Sequence, residues 1–355
     1  MPKLTVETAM KALATVQEPE LGGDLVSRGM IRDVSVEGTK VSLTVELTTP
    51  ACPLKDEIGK GVEEALRSAG AREVQVNWDA TVRRSTPAGP QMLPGVKNVV
   101  AIASGKGGVG KSTVAVNLAV ALAQAGASVG LLDADITGPN VPMMLGAEGE
   151  PVATPERKIR PLEAHGVKVI SIQFFLSPDQ AVIWRGPLVS GAIQQFLRDV
   201  DWGELDYLIV DLPPGTSDAQ LTLAQTVPIT GVVLVTTPQQ VSLSDVGRAM
   251  TMFEKVNVPI LGVVENMAGF VCAHCGETTE IFGRGGGEEF AAANGIDFLG
   301  GIPLDITVRQ GCDVGIPAVA QSEPGPAAEA LSQVARTIAG KVSVQAVQQK
   351  AEAPS

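Results

Sequence analysis

Gly105-Lys106-Gly107-Gly108-Val109-Gly110-Lys111-Ser112-Thr113 is the stretch of this chain with the most chemistry in it. It fits the pattern G-x-x-x-x-G-K-[ST]. It comes after a strand-like run, Ala101 to Ser104, and opens a helical one, which is the context the pattern requires. Glycines let successive backbone N–H groups wrap a chain of phosphates. A helix starting near Ser112 aims its positive end at the same point. Lys111 would neutralise β- and γ-phosphate charge, and the Ser112 hydroxyl would ligate Mg²⁺.

Carboxylates stand where such a site needs them. Leu131-Leu132-Asp133-Ala134-Asp135 reads as a strand ending in two acids. Ile209-Val210-Asp211-Leu212-Pro213-Pro214-Gly215-Thr216 reads as a strand running into a switch-like loop. A magnesium–nucleotide site uses one carboxylate to hold the metal's water shell and another to orient the attacking water. A single strand-end Asp can instead cap the next helix; three beside a phosphate loop favour the site.

Cys272-Ala273-His274-Cys275-Gly276 is a C-x-x-C with a glycine behind it. Two thiolates at that spacing grip one soft metal centre, but they are half of a tetrahedral set. Cys52 and Cys312 are isolated. Four ligands are reached most simply by two chains meeting on a two-fold axis, holding Zn²⁺ or a [4Fe–4S] cluster. A redox dithiol and half a zinc ribbon remain alternatives. His274 reads as a solvent-facing spacer, His165 as a surface residue and Cys312 as a small buried one. Cys52 precedes a helix starting at Leu54. A helix N-terminus lowers a thiol's pKa, so Cys52 is a candidate reactive thiol, with an inert loop thiol as the equal alternative.

These groups need elements to position them. Residues 1–84 read as a small α+β unit. Helical spacing covers Thr5 to Thr15, and paired strands run from Met30 to Val36 and from Lys40 to Leu47. A helix spans Leu54 to Ala69, and a last strand spans Glu73 to Val82. Residues 85–95 are a linker by composition. From 96 to 340, short buried-looking strands alternate with helices at Asn98 to Ser104, Ser128 to Asp133, Val167 to Ile172, Tyr207 to Asp211, Thr230 to Thr236 and Pro259 to Glu265. That alternation predicts an α/β domain with a parallel sheet covered on both faces. Helical spacing returns at Gly325 to Ile338. Residues 341–355 read as a flexible polar tail.

Composition limits the function classes. The chain has 355 residues, 45% of them apolar, with a net charge of −12 and 3% aromatics. There are apolar residues enough for sizeable cores, but the positive field that nucleic acid or an anionic membrane needs is missing. The aromatic platforms of single-strand binders are missing too. Four cysteines make no disulfide framework at this length. The start of the chain has no signal-peptide pattern, and no apolar run is long enough to span a bilayer. The expectation is a soluble, cytoplasmic protein.

The extra Lys106 is the mark of the deviant Walker A group, to which MinD, ParA and the nitrogenase iron protein belong. Further pieces narrow the resemblance: Asp133 to Asn140, Trp184-Arg185-Gly186-Pro187, Asp206 to Thr216, Glu265-Asn266-Met267, the Cys272/Cys275 pair, and Phe282 to Gly287. Together they resemble the Mrp/ApbC family of iron–sulfur cluster carrier ATPases, and the Cys pair separates that family from its MinD and ParA relatives. The first domain is similar to the MIP-type domain of SufT and PaaD, through Glu18 to Gly22, Asp24 to Val26, Gly29-Met30 and Leu47 to Leu54.

The resemblance implies an ATPase that carries [4Fe–4S] clusters between subunits of a homodimer and delivers them to apoprotein clients. Cluster scaffold proteins are further implied partners. Gly105 to Thr113 and Asp133 would bind nucleotide, with Asp133 supporting Asp211. Asp135 would orient the hydrolytic water. Asp211 would contact Mg²⁺ through water, and Lys106 would reach the other subunit's nucleotide. Asn266 would read the adenine edge, and Cys272 with Cys275 would ligate the cluster. The alternatives are a MinD/ParA-like positioning ATPase, an ATP-driven reductase like the nitrogenase iron protein, and a P-loop switch with a structural zinc clip. Lys341 to Ser355 lacks the basic amphipathic character a membrane-targeting tail needs. The reductase's cluster cysteines lie far apart in sequence, unlike this pair.

Overall fold

The computed structural model describes residues 4–85, 93–136, 138–176, 186–216, 218–272 and 274–352. Thr137, Trp184, Arg185, Ala273, residues 86–92 of the expected linker and the last three residues lie outside them. The chain divides into two units, Met1–Arg83 with Ala339–Ser355, and Arg84–Ile338.

In the first unit, α1 (Val6–Leu13), β1 (Ile31–Glu37), β2 (Lys40–Leu47), α2 (Lys55–Ser68) and β3 (Glu73–Ala80) come one after another. Thr5 caps α1, its side chain accepting from the Thr8 N–H, which satisfies a donor the helix start leaves open. β2 alternates half-buried and buried residues along its length, the period-2 signature of a strand with one face on a core. It lies between β1, antiparallel, and β3, parallel. Gly38, at a φ of +64°, makes the β1–β2 turn. Val41, Leu43, Val45 and Leu47 pack with Leu13, Ile58, Val62 and Leu66.

The second unit begins with β4 (Val96–Ser104), α3 (Lys111–Gln124), β5 (Val129–Asp133), α4 (Val141–Leu145), β6 (Leu162–Ala164), β7 (Val167–Ser171), α5 (Gly186–Asp199) and β8 (Leu205–Asp211). It continues with α6 (Asp218–Thr226), β9 (Gly231–Thr236), α7 (Gln240–Lys255), β10 (Ile260–Val271), β11 (Thr278–Thr279), α8 (Gly286–Asn294), β12 (Phe298–Leu304), α9 (Ile306–Val314) and the first part of α10 (Pro326–Glu352), which from Ala339 on belongs to the first unit. The sheet order is β11-β10-β9-β4-β8-β5-β7-β6, with β12 on β10. Seven of these strands run parallel; β6 and β11 pair antiparallel to their neighbours. β5 and β9 are buried at every position, as a sheet covered on both faces demands.

Two expectations are corrected. The strand expected to end at Glu265 runs on to Val271, because β12 and β11 pair with its far half. The tail expected to be flexible is helical to Glu352, as part of α10, with Val342, Ser343 and Ala346 buried. Gly340 does not stop this helix. A Cβ there would stand 2.7 Å from Glu20 Oε1, so the glycine serves a close approach within the first unit.

Candidate nucleotide site and cysteine turn

β4 is central in the sheet, between β9 and β8, and β5 lies beyond β8. Asp133 on β5 is the register partner of Asp211 on β8, and Asp211 is in turn the partner of Ile102 on β4. The sheet therefore delivers the phosphate loop and both strand-end acids to one edge. In open α/β sheets, ligands bind outside the carboxyl ends of the strands.

The loop's glycines have separable reasons. Gly108 and Gly110 have φ of +80° and +85°, in the left-handed region that side chains penalise. A Cβ on Gly105 would meet the Asp245 backbone at 2.2 Å, and one on Gly110 would meet Asn266 Nδ2 at 2.1 Å. Gly110 is the N-cap of α3, so the helix begins at Lys111 with its first N–H groups facing the loop.

Lys111 is buried, and its Nζ donates to Asp211 Oδ1 at 2.7 Å. It lies 3.9 Å from Asp135 Oδ2. Asp133 Oδ2 accepts from Ser171 Oγ at 2.9 Å, and its Oδ1 accepts the Asp135 N–H at 3.2 Å. Burial, with the Asp211 charge adding to it, pushes the Asp133 carboxyl up to about 8; Ser171 and Lys111 oppose the shift. Burial also raises Asp211, against the pull of Lys111. The second Asp211 oxygen, Oδ2, is buried, with no hydrogen-bond partner among the described residues. A buried acceptor left open in this way suits a cation's hydration shell. Lys106 is half-buried, and among the described residues it forms no ion pair.

Asn266 is buried on β10, one residue past the last pair with β9, and its Nδ2 donates to the Val109 carbonyl at 2.9 Å. Beside it opens a mostly apolar cleft of about 310 Å³. Gly110 and Thr113, Met143, Asn266 and Met267, Pro303 and Cys312 are among its walls. A larger open groove, of about 690 Å³, lies in the first unit between α1 and α2 and contains none of these residues.

Glu265 has no role assigned from sequence. It is buried on β10, and its carboxylate accepts the N–H groups of Gly285 and Gly287. It thereby fixes the glycine-rich start of α8. The Gly285-Gly286-Gly287 run is the available signal, since a helix start with no side-chain cap leaves donors open for a nearby carboxylate.

Cys272 and Cys275 sit in the turn between β10 and β11. Phe270 and Val271 pair with Thr279 and Thr278. The Cys272 N–H donates to the Glu277 carbonyl, and the Gly276 N–H to the Cys272 carbonyl. Backbone N–H groups of Cys275 and then His274 reach the Cys272 sulfur and hold its thiol below the usual range. Cys275 and His274 are exposed. Among the described residues, no group of three or more His, Cys, Asp or Glu forms a metal cage.

Cys312 on α9 is buried, as expected, and burial raises its thiol. His165 is exposed in a turn, its ring Nε2 3.0 Å from the Gly315 carbonyl oxygen. At Cys52 the expected helix-end lowering does not hold. Burial pushes its thiol up, and the charges of Glu20 and Glu18 push the same way. Desolvation outweighs the helix end because it disfavours the thiolate directly.

A glycine loop from a central parallel strand, a buried lysine and strand-end aspartates define a P-loop NTPase. Residues 95–339 match the NUBPL iron-transfer P-loop NTPase family, and residues 7–78 match one described as iron-sulfur cluster assembly protein. The chain belongs to the NUBPL iron-transfer P-loop NTPase family. It is 53% identical to a Deinococcus radiodurans protein named iron-sulfur cluster carrier protein, over 98% of each chain. A solved nucleotide-binding protein from Archaeoglobus fulgidus, in complex with ADP, is 43% identical, with a TM-score of 0.57, over 63% of this chain and 89% of that one. The Pyrococcus furiosus cell division ATPase MinD is 25% identical, with a TM-score of 0.51, over 68% of this chain and 98% of that one. Among the described residues, no helix is long and apolar enough to cross a membrane.

Proposed function

We propose that the chain is an ATP-hydrolysing carrier of [4Fe–4S] clusters that works as a cytoplasmic homodimer and passes its cargo to apoprotein clients. The observation that carries this reading is the exposed turn holding Cys272 and Cys275, with a thiolate-favouring backbone, on the strand that also borders the phosphate loop.

Lys111 and the loop's N–H groups bind the ATP phosphates. The base fills the apolar cleft between Asn266 and Pro303, where Asn266 meets its edge. Asp135 orients the attacking water, and Lys106 serves the partner's nucleotide. Ser112, with Asp211 through water, would hold Mg²⁺, which supplies charge neutralisation at the β- and γ-phosphates. The open Asp211 Oδ2 fits that assignment. Two thiols per chain are half of the four a cluster takes, and a two-fold axis supplies the rest. The named relatives support the cargo.

Transfer is the test. Anaerobically loaded protein is mixed with an apoprotein whose activity needs a [4Fe–4S] cluster, with and without Mg–ATP. The reading expects the client's activity to appear, at a rate that changes with ATP and is lost in Lys111→Ala. A client that stays inactive with loaded wild type contradicts it.

A further inference from the structure

We propose that the bulge Met267–Gly269 on β10 positions the cysteine turn according to what fills the cleft beside Asn266, so that nucleotide occupancy is felt at Cys272 through the backbone of one strand. This rests on the nucleotide and cluster reading given under Proposed function.

Upstream of the bulge the strand is fixed twice. Glu265 is held by the N–H groups of Gly285 and Gly287, and Asn266 is held to the Val109 carbonyl of the phosphate loop. The register with β12 then breaks. Asn266 pairs with Ile302, but Phe270 pairs with Leu304, so four steps on β10 match two on β12. Such bulges bend a strand and re-aim the residues beyond them. Met267 holds a φ of +60° and Gly269 one of +79°. A left-handed non-glycine residue persists only where its surroundings impose it. Here the surroundings include the cleft, which Asn266, Met267, Pro303 and Leu304 wall from both sides of the bulge. Downstream, two residues pair with β11 and Cys272 comes next. A base entering the cleft presses on Met267, whose backbone reaches Cys272 five residues further on. Met267 is thus a positioning residue, acting on Cys272 through the strand.

The experiment tracks alkylation of each cysteine by iodoacetamide in the full-length, reduced, metal-free chain, resolved by peptide mass spectrometry. It is run without nucleotide, with Mg–ADP, and with Mg and a non-hydrolysable ATP analogue. Cys312 lines the cleft and reports occupancy in the same digest; nucleotide affinity is measured separately. The rate at Cys272 should change on nucleotide binding by about fivefold or more, the low end of coupling between linked sites. Ala268→Gly, whose side chain is not part of the cleft wall, and insertion of one glycine after Ala268 should keep nucleotide binding and lose most of that change. A wild type that binds nucleotide with an unchanged Cys272 rate overturns the proposal. So do folded variants that keep the full response. A wild type that binds no nucleotide overturns the nucleotide reading itself, and this inference with it.

Discussion

Lys111 Nζ lies 2.7 Å from Asp211 Oδ1, with the lysine 6% and the aspartate 1% exposed at their side chains. The phosphate loop's lysine is thereby also the main cation for a buried strand-end carboxylate. Removing it leaves Asp211 buried with its charge uncompensated, a loss of about 3–5 kcal/mol. Lys111→Ala should therefore lower stability in urea unfolding as well as nucleotide affinity. Asp211→Asn leaves Lys111 with a second carboxylate, Asp135, 3.9 Å away, and should cost less. The Lys111→Ala loss should shrink as the pH falls, because burial raises Asp211 and a protonated carboxyl no longer needs the lysine. An Asp211→Asn cost equal to or above that of Lys111→Ala would contradict this account.

Asp133 sets a second pH dependence. Its folded pKa, about 8, lies above the ordinary value of 3.8. The folded state then holds the proton more tightly than the unfolded one. That contribution to stability is complete below about pH 3.8 and is lost as the pH rises to about 8. In EDTA, the wild type should lose stability relative to Asp133→Asn between pH 5 and pH 8.5. Parallel stability curves for the two proteins would refute the assignment.

The thiols should separate by reactivity. Burial raises Cys52, while backbone donors lower Cys272. At pH 7.5, iodoacetamide should modify Cys272 faster than Cys52 in the same sample, since the thiolate is the nucleophile. Faster modification of Cys52 would restore it as the reactive thiol of the chain.

The end of α10 should matter to the first unit. Val342 is 0% exposed. Val342→Asp buries a charge without a partner and should cost about 3 kcal/mol or more. Gln348→Asp, at an exposed position on the same stretch, should stay within about 0.5 kcal/mol. Thermal unfolding of the two variants reads the difference, and equal tolerance would mean that the segment contributes nothing.

What is legible from sequence is local. Gly105 to Thr113 carries its geometry in its glycines, and strands such as Val129–Asp133 announce themselves as short apolar runs. The C-x-x-C shows its spacing outright. The hidden features depend on partners far along the chain. β12 contains Gly300, Gly301 and Pro303, which weaken any strand signal until β10 lies beside it. Gly340 looks like a helix stop because its reason, Glu20, is more than 300 residues away in sequence. The bond from Asn266 to Val109 spans 157 residues. Cys52 is a candidate reactive thiol in sequence, with an inert thiol as its equal, because the helix end is visible there while the burial that raises it is not.

The central claim is that Cys272 and Cys275 from two chains hold one cluster. The most direct measurement is anaerobic reconstitution of wild type beside Cys272→Ala/Cys275→Ala, with iron, sulfide and zinc counted per dimer and the visible spectrum recorded. The account predicts about four irons and four sulfides per dimer in wild type, both lost in the double variant. Zinc without labile sulfide, or iron retained by the variant, would contradict it and leave a P-loop NTPase with a structural metal clip.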